Sequence, residues 1–225
     1  MRASRKVLLS MALACAAASC TAGPAPRLGE VQHGEGTFYS ANGDGACGFG
    51  PSPADLDVAA LNAPQWDGSA PCGACASITG PKGSVKVRIV DLCPECKAGD
   101  LDLSPQAFAK LAPLADGRVP ISWQLEACDV SGPLRYHVKD GSSQYWTAIQ
   151  VRNHRLPIRA LAYRKDSAWV NLPRQDYNYF LAAQGTGPGT IRLQVTSWEG
   201  QTLEDTLPGP NADTTYDGAA QFTSP

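Results

Sequence analysis

The chain has 225 residues, enough for one large domain or two small domains, each with its own hydrophobic core. It is low in charge and rich in glycine and proline, a composition that favours strands and turns over long helices. Residues 21–132 carry 7 basic against 13 acidic side chains, whereas residues 133–225 carry 9 against 8. The acidic excess in residues 21–132 argues against nucleic acid, anionic membranes and acidic polymers as the main partner. A neutral polymer is more compatible with this charge distribution.

The first twenty residues have the pattern of an export signal. Arg2, Arg5 and Lys6 form a basic start, and residues 7–18 form a short apolar segment. Residues 17–20 read Ala-Ala-Ser-Cys and resemble a bacterial lipoprotein cleavage box, although a large aliphatic residue is usual at the first of these positions. The sequence therefore predicts an extracellular protein, either secreted or lipid-anchored through Cys20.

Six cysteines follow the signal: Cys47, Cys72, Cys75, Cys93, Cys96 and Cys128. An even number in an exported chain indicates three disulfides, and spacing alone leaves fifteen pairings open. The two Cys-x-x-Cys pairs also fit a four-thiolate zinc site, but export favours disulfides, so neither a metal nor another cofactor is expected. A redox role for the second pair is a further alternative.

The first half of the exported chain predicts a small closed barrel over residues 33–130. Residues 21–32 form a linker, and a short strand around residues 37–39 precedes a glycine-rich loop that ends at Cys47. Residues 55–61 fit a short helix or a 3₁₀ turn, and residues 119–127 alternate like a strand. Short strands with three disulfides are typical of such a barrel.

Residues 84–112 carry the candidate chemistry. Val85, Val87 and Ile89 alternate with polar residues as in a half-buried strand, and Asp91 shares their parity, which predicts an inward-facing carboxylate at the strand end. A second acid, Asp102, precedes a helix that starts at Ser104-Pro105. Each acid also has a purely structural interpretation: Asp91 as an acceptor for loop amides, and Asp102 as a partner of the helix dipole.

The second half predicts a β-sandwich over residues 134–222, after a boundary at Ser131-Gly132-Pro133. Six strands are expected there, over residues 134–138, 146–151, 158–163, 168–172, 190–196 and 202–207. Residues 208–225 are expected to form a loose tail in which Phe222 docks.

The five tryptophans differ in what the sequence predicts for them. Trp123 and Trp198 are expected in the core, whereas Trp66 and Trp169 are left open. If Ile149 and Val151 point inward, strict alternation sends Trp146 outward and Tyr145 inward. Both aromatic rings can be exposed only if the pair precedes the strand or lies at a bulge.

Short motifs occur in a fixed order in both halves of the chain. They are Gly-Thr-Phe-Tyr at 36–39, Gly-Ala-Cys-Gly-Phe-Gly at 45–50, Cys-Gly-Ala-Cys at 72–75, Val-Asp-Leu at 90–92, Leu-Asp-Leu-Ser at 101–104, Lys-Asp-Gly-Ser-Ser at 139–143, Trp146, Ala-Ile-Gln-Val-Arg-Asn-His at 148–154 and Asp-Tyr-Asn at 176–178. In these motifs, residues 33–222 resemble a microbial expansin. The resemblance implies a six-stranded double-psi β-barrel, related to family-45 endoglucanases. It also implies a following immunoglobulin-like β-sandwich, similar to family-63 carbohydrate-binding modules.

The resemblance also implies residue roles. In the barrel, Asp91 matches an essential acid-like residue, and Asp102 and Thr37 match other polar groups of a groove. In the sandwich, the matches to a flat polysaccharide-binding face are Tyr145, Trp146, Tyr177 and Lys139. The implied disulfides are Cys47–Cys72, Cys75–Cys128 and Cys93–Cys96. The chain departs from the family at Cys93, where bacterial relatives often carry an aromatic ring, at Asp100-Leu101, where plant members carry His-Phe, and at Tyr145, where Trp is common.

Expansins bind cellulose and loosen plant cell walls without hydrolysis, so the resemblance implies a monomeric, non-hydrolytic protein that binds cellulose and related wall polysaccharides. Xyloglucan and peptidoglycan are further candidate partners, and nucleic acid is not. One alternative is a lytic transglycosylase acting on peptidoglycan, a class that also uses a histidine near its acid. No histidine lies between His33 and His137, which counts against it. The other alternative is a pure wall-binding protein.

Overall fold

The computed structural model describes residues 24–225, so the predicted signal at 1–20 and the start of the predicted linker lie outside the described residues. The described chain consists mainly of strands and contains one α-helix, α1 (Pro105–Leu111), of seven residues. None of the helices in residues 24–225 is long and apolar enough to span a membrane.

Six strands close into a barrel in the order β1-β5-β2-β4-β3-β6. They are β1 (Gln32–Phe38), β2 (Val58–Asn62), β3 (Cys75–Thr79), β4 (Ser84–Cys93), β5 (Leu101–Leu103) and β6 (Val119–Glu126). The pairs β1–β5 and β2–β4 are parallel and the other neighbours are antiparallel. The strand pattern predicted a closed barrel, and its six strands agree with the double-psi barrel that the resemblance implied.

Side-chain periodicity explains the barrel core and its helix. Val85, Val87 and Ile89 of β4 lie in the core, as their alternation predicts. The hydroxyl of Ser104 accepts a hydrogen bond from the Ala107 amide at 3.0 Å, so the predicted start of α1 is confirmed.

The prediction of a helix or 3₁₀ turn at residues 55–61 is wrong. Val58–Asn62 forms β2, whose five residues are all buried. β2 lies between β5 and β4 in the barrel, and none of its residues is more than 3% exposed, so its apolar residues run without alternation. A short continuous apolar run of this kind has no period that separates a strand from a helix.

Two four-stranded sheets form the β-sandwich, in the orders β10-β9-β12-β13 and β11-β8-β7-β14. The strands are β7 (Arg135–Val138), β8 (Thr147–Arg152), β9 (Ile158–Lys165), β10 (Ala168–Leu172), β11 (Phe180–Ala182), β12 (Ile191–Ser197), β13 (Thr202–Leu207) and β14 (Thr214–Asp217). Their inward residues share one core. The predicted tail is not loose throughout, because β14 pairs with β7; Phe222 is fully buried, as predicted.

Three disulfides join Cys47 to Cys72, Cys75 to Cys128 and Cys93 to Cys96. The pairing implied by the resemblance is therefore confirmed. The zinc interpretation is wrong, because all four sulfurs of the two Cys-x-x-Cys pairs are bonded to other sulfurs. Disulfides of this number are typical of proteins that fold in an oxidising compartment.

The described part of the predicted linker is packed against both halves of the protein. Leu28 contacts the barrel core and the sandwich core, and the Gly29 amide donates to the Leu125 carbonyl at 2.8 Å. This segment is therefore a packed strap rather than a free connection. The boundaries predicted at residues 33–130 and 134–222 stay predictions.

Candidate functional site: a polar groove and an aromatic face

A β-bulge in β4 decides which way Asp91 points. Ala59 lies opposite Ile89 and Ala60 lies opposite Asp91, so Val90 is an extra residue in β4. Ala59 and Ile89 belong to the barrel core, so Asp91 points outward beside Ala60. The prediction that Asp91 faces inward is wrong, because the bulge shifts the parity of the strand by one residue.

Four residues form an outward row across the barrel surface. Thr37 lies opposite Asp102, Asp102 opposite Ala60, and Ala60 opposite Asp91. Opposite residues in neighbouring strands share a face, so the three predicted groove residues lie together around the small side chain of Ala60. With neighbouring strands about 4.8 Å apart, the Cα atoms of the two aspartates are about 10 Å apart.

Asp102 is the half-buried acid of the groove. Its Oδ1 accepts a hydrogen bond from the Thr37 hydroxyl at 2.5 Å. Burial raises the pKa of Asp102, the hydrogen bond from Thr37 opposes that shift, and the nearby Glu95 carboxylate raises the pKa further. The net direction is upward, which suits a group that donates a proton or a hydrogen bond.

Asp91 is occupied by backbone amides. Its Oδ1 accepts from the Ala46 amide at 2.7 Å and from the Leu92 amide at 2.8 Å. The segment at residues 45–50, here called the crossing loop, also donates from the Cys47 amide to the Val90 carbonyl. A Cβ on Gly45 would lie 2.4 Å from Cγ of Asp91, so only glycine allows this approach. Asp91 thus holds the crossing loop on β4.

Tyr39 was given no role by the sequence, although it lies in one of the quoted motifs. Its hydroxyl is buried. Burial raises the pKa of Tyr39, and the adjacent carboxylate of Asp91 and then that of Asp102 raise it further, so the hydroxyl stays a donor. A buried donor beside two acids is suited to a sugar hydroxyl or a water molecule.

Tyr145 and Trp146 precede β8, in the turn that Ser143 and Trp146 close with paired backbone hydrogen bonds. Strict alternation within a strand would have turned Tyr145 inward and Trp146 outward. Because the pair lies outside the regular strand, both side chains can be exposed. Tyr145 is 75% exposed, and Trp146 is half-buried. Both therefore remain accessible from solvent.

Tyr177 and Lys139 both contact Tyr179. Like Tyr39, Tyr179 was given no role from the sequence. The rings of Tyr177 and Tyr179 have centroids 5.8 Å apart, and Nζ of Lys139 lies 5.9 Å from the Tyr179 ring. Tyr177 is 40% exposed, whereas Tyr179 is buried beneath it. These residues form one cluster on the outer side of the β11-β8-β7-β14 sheet.

The crossing loop connects the barrel to that sheet. The carbonyl of Cys47 accepts hydrogen bonds from the side chains of Gln150 at 2.8 Å and Asn178 at 3.3 Å. Gln150 and Ala148 lie on the outward side of β8. The loop that Asp91 holds on the barrel side is thus held by β8 on the sandwich side, and its Gly48 lies against Tyr177 and Tyr179 of the aromatic cluster.

Comparison with known proteins agrees with this geometry. The chain is 36% identical over 196 residues to Expansin-YoaJ of Bacillus subtilis (strain 168), which covers 83% of each chain. It belongs to the expansins. Expansin-like protein 5 of Dictyostelium discoideum is 31% identical over 201 residues, or 84% of each chain. A family model described as lytic transglycolase matches residues 32–123, the barrel part of this expansin.

A crystal structure of a mutant Clavibacter michiganensis expansin, in complex with cellohexaose, superposes on this expansin with a TM-score of 0.79. The sequences are 31% identical, and the match covers 86% of this chain and 98% of the other. The match spans both the barrel and the sandwich, so the fold predicted for both halves is confirmed.

Proposed function

We propose that this expansin binds cellulose and related glucans across the groove and the aromatic face, and loosens plant cell walls without cleaving glycosidic bonds. The observation that carries the proposal is the crossing loop. It links the outward row of Thr37, Asp102 and Asp91 to the sheet that presents the aromatic rings. This connection supports the proposal that one extended chain of sugars contacts both surfaces.

The aromatic face is the proposed cellulose-binding surface. Tyr145, Trp146 and Tyr177 supply rings, each able to bury ~150–250 Å² against a flat sugar chain, and Lys139 supplies a donor beside them. The cellohexaose bound to the Clavibacter michiganensis protein supports a β-glucan as the ligand. Xyloglucan is a second candidate glucan for the same face.

The groove is the proposed site of loosening, and its contacts favour Asp102 as the acid-like residue. Asp102 is half-buried beside Glu95 and its pKa is raised, whereas Asp91 uses Oδ1 to hold the crossing loop. We therefore assign Asp102, with Thr37 and Tyr39, to the glucan and assign Asp91 to positioning the loop. This exchanges the roles that the resemblance implied for the two aspartates.

The contacts of the neighbouring carboxylates support the proposed lack of hydrolysis. An inverting glycosidase needs a second carboxylate ~6.5–9.5 Å from its acid to activate water. Asp91 accepts two amides through Oδ1, and Glu95 lies exposed on the loop between Cys93 and Cys96 without a hydrogen bond among the described side chains. We therefore propose that neither carboxylate acts as that base.

A pull-down on insoluble cellulose and on peptidoglycan tests the binding surface. The Trp146→Ala/Tyr177→Ala variant should bind cellulose about tenfold or more weakly. Trp169→Ala, on the opposite sheet, should bind like the unaltered protein and serves as the control. Equal cellulose binding by the double variant, or binding to peptidoglycan alone, would contradict the proposal and favour the lytic transglycosylase alternative.

Wall creep and sugar release test the groove. Asp102→Asn keeps the Thr37 contact but removes the acid, so it should abolish creep while cellulose binding stays within about twofold. Asp91→Asn should reduce creep mainly by lowering stability. Reducing sugar released from cellulose above the no-protein control, and lost in Asp102→Asn, would show hydrolysis and contradict the non-hydrolytic assignment.

We also propose that the protein is exported, with the three disulfides as the supporting observation. Mass spectrometry of material from the native host distinguishes the two forms of export. A diacylglyceryl mass on Cys20 would show a lipid anchor, and an unmodified new N-terminus would show secretion.

A further inference from the structure

A second surface lies on the other side of the crossing loop from the groove. The loop passes over β4 at Val90, with Asp91 on one side and Arg88 on the other. On the Arg88 side, the barrel and the sandwich enclose a cleft of about 520 Å³. Small-molecule sites commonly have volumes of ~300–1,000 Å³, so the cleft is large enough for a ligand.

Three guanidinium groups are among the charged side chains that line this cleft. The guanidinium carbons of Arg88 and Arg152 lie 5.6 and 6.0 Å from the centroid of the Phe49 ring, and Arg135 also lines the cleft. Arg152 donates to Oε1 of Gln150 at 2.5 Å and to the Gly48 carbonyl at 3.3 Å. Both acceptors are neutral.

The other charged side chains of the cleft have partners of opposite charge. They pair as Arg88 with Asp55 at 3.6 Å, Lys86 with Asp129 and Glu126, Asp57 with Lys110, and Arg135 with Asp217. His154 also lines the cleft, and burial lowers its pKa to about 4, so it is neutral near pH 7. Within residues 24–225, Arg152 forms no ion pair.

A partly buried guanidinium without a carboxylate is unfavourable, because its charge has lost water without gaining a counter-charge. Burial lowers the pKa of Arg152, and the neighbouring Arg135 and Arg88 lower it further, while Tyr179 offsets part of the shift. An anion in the cleft would remove this penalty. The planar fork of arginine matches a carboxylate with two parallel hydrogen bonds.

We propose that the cleft binds a carboxylate-bearing sugar, a hexuronate unit of an acidic polysaccharide, with its carboxylate on Arg152. A sugar is favoured over an inorganic anion because such an anion would leave most of the 520 Å³ unfilled. A sugar is also favoured because only the crossing loop separates the cleft from the proposed glucan groove. The acidic balance of residues 21–132 argues against acidic polymers as the main partner, so this is a local, second specificity. The proposal does not depend on binding of neutral glucan.

Calorimetric titration of the purified protein tests this assignment, with trigalacturonate, its methyl ester and inorganic phosphate as probes. Trigalacturonate should bind. The methyl ester should bind at least about tenfold more weakly because it lacks the negative charge, and phosphate should do so because it lacks the sugar. Phosphate binding as tight as trigalacturonate binding would show a simple anion site and overturn the sugar assignment. Equal binding of the ester would overturn the role of the carboxylate.

Variants locate the site. Arg152→Gln should weaken trigalacturonate binding about tenfold or more, whereas Arg164→Gln, which makes the same charge change on β9, should leave it unchanged. If Arg152→Gln fails to fold, Arg88→Gln replaces it and should weaken binding in the same direction. No trigalacturonate binding by the unaltered protein, or equal loss in Arg164→Gln, would overturn the proposal. Cellulose pull-down of the same samples reports separately on the proposed glucan binding.

Discussion

At the scale of single residues, two aspartates that the sequence presents as a pair have different surroundings. Asp91 accepts two backbone amides and fixes the crossing loop, whereas Asp102 has a hydroxyl partner and a like-charged neighbour. The pKa of Asp102 is raised, so its protonated form persists to higher pH than for an ordinary aspartate. If loosening needs that proton, activity falls as pH rises through the raised pKa.

Replacing the like-charged neighbour gives a directional prediction. Glu95→Gln removes a carboxylate that raises the pKa of Asp102, so the midpoint of the fall in wall-creep activity should move to lower pH. Creep rates measured across pH would show the shift. Glu199→Gln, in the sandwich, makes the same change of charge and should leave the midpoint in place. An unchanged or raised midpoint in Glu95→Gln would contradict the role given to Asp102.

At the scale of elements, disulfides fix the loops that surround the groove. Cys93, the last residue of β4, is bonded to Cys96 only three residues later, and this small ring carries Glu95. Cys75 and Cys128 are 53 residues apart, and their bond ties the start of β3 to the segment that leads into the sandwich. The two bonds therefore close loops of very different length.

Loop length predicts the order of the stability losses. In the chain-entropy picture, removing Cys75–Cys128 lowers the free energy of unfolding by about 4 kcal/mol, and removing Cys93–Cys96 lowers it by about 2 kcal/mol. Denaturant unfolding of the two double Cys→Ala variants measures both values. A larger loss for the short loop would mean that local packing, rather than chain entropy, sets the stabilisation.

At the scale of the whole molecule, two buried basic residues, Arg174 and His154, lie where the barrel meets the sandwich. The Arg174 guanidinium donates to Asn178 and to the Ser69 carbonyl of the barrel, and burial lowers its pKa to about 10. His154 is fully buried against Gly73, where a Cβ would lie only 2.5 Å from Nε2 of the imidazole. The junction thus leaves no space for a side chain at Gly73.

This burial predicts a pH-dependent stability. The pKa of His154 is about 4 in the folded protein and about 6.5 when unfolded, so the unfolded chain binds the proton first as pH falls. Stability should fall by about 3 kcal/mol between pH 6.5 and 4 and level off below, as far as this group is concerned. Between pH 6.5 and 4, the free energy of unfolding should therefore fall by about 3 kcal/mol less in His154→Gln than in the unaltered protein.

Chemical denaturation at several pH values checks the prediction. His33→Gln, a substitution of an exposed histidine on β1, should follow the unaltered protein. Parallel curves for His154→Gln and the unaltered protein would show that the protonation of His154 is not coupled to folding.

Local signals in the sequence were sufficient for much of the fold. The alternation of Val85, Val87 and Ile89 predicts β4, and Ser104-Pro105 predicts the start of α1, because a two-residue period and a helix cap depend only on nearby residues. The quoted motifs, together with an even number of cysteines, predicted the expansin fold and the three disulfides. The resemblance also grouped Thr37 with Asp102, and the structure brings the two side chains into contact, whereas their role in a glucan-binding groove stays a prediction.

Only the tertiary structure decided how those pieces meet. The bulge at Val90 reverses the direction of Asp91, and the apolar run of β2 is a strand because β4 and β5 pair with its two edges. The roles of Gln150 and Arg152 depend on carbonyls of the crossing loop more than 100 residues earlier in the chain. The sequence by itself determined the periodicities, the caps and the family. Tertiary packing decided register, burial and partners, because each of these depends on residues far apart in the chain.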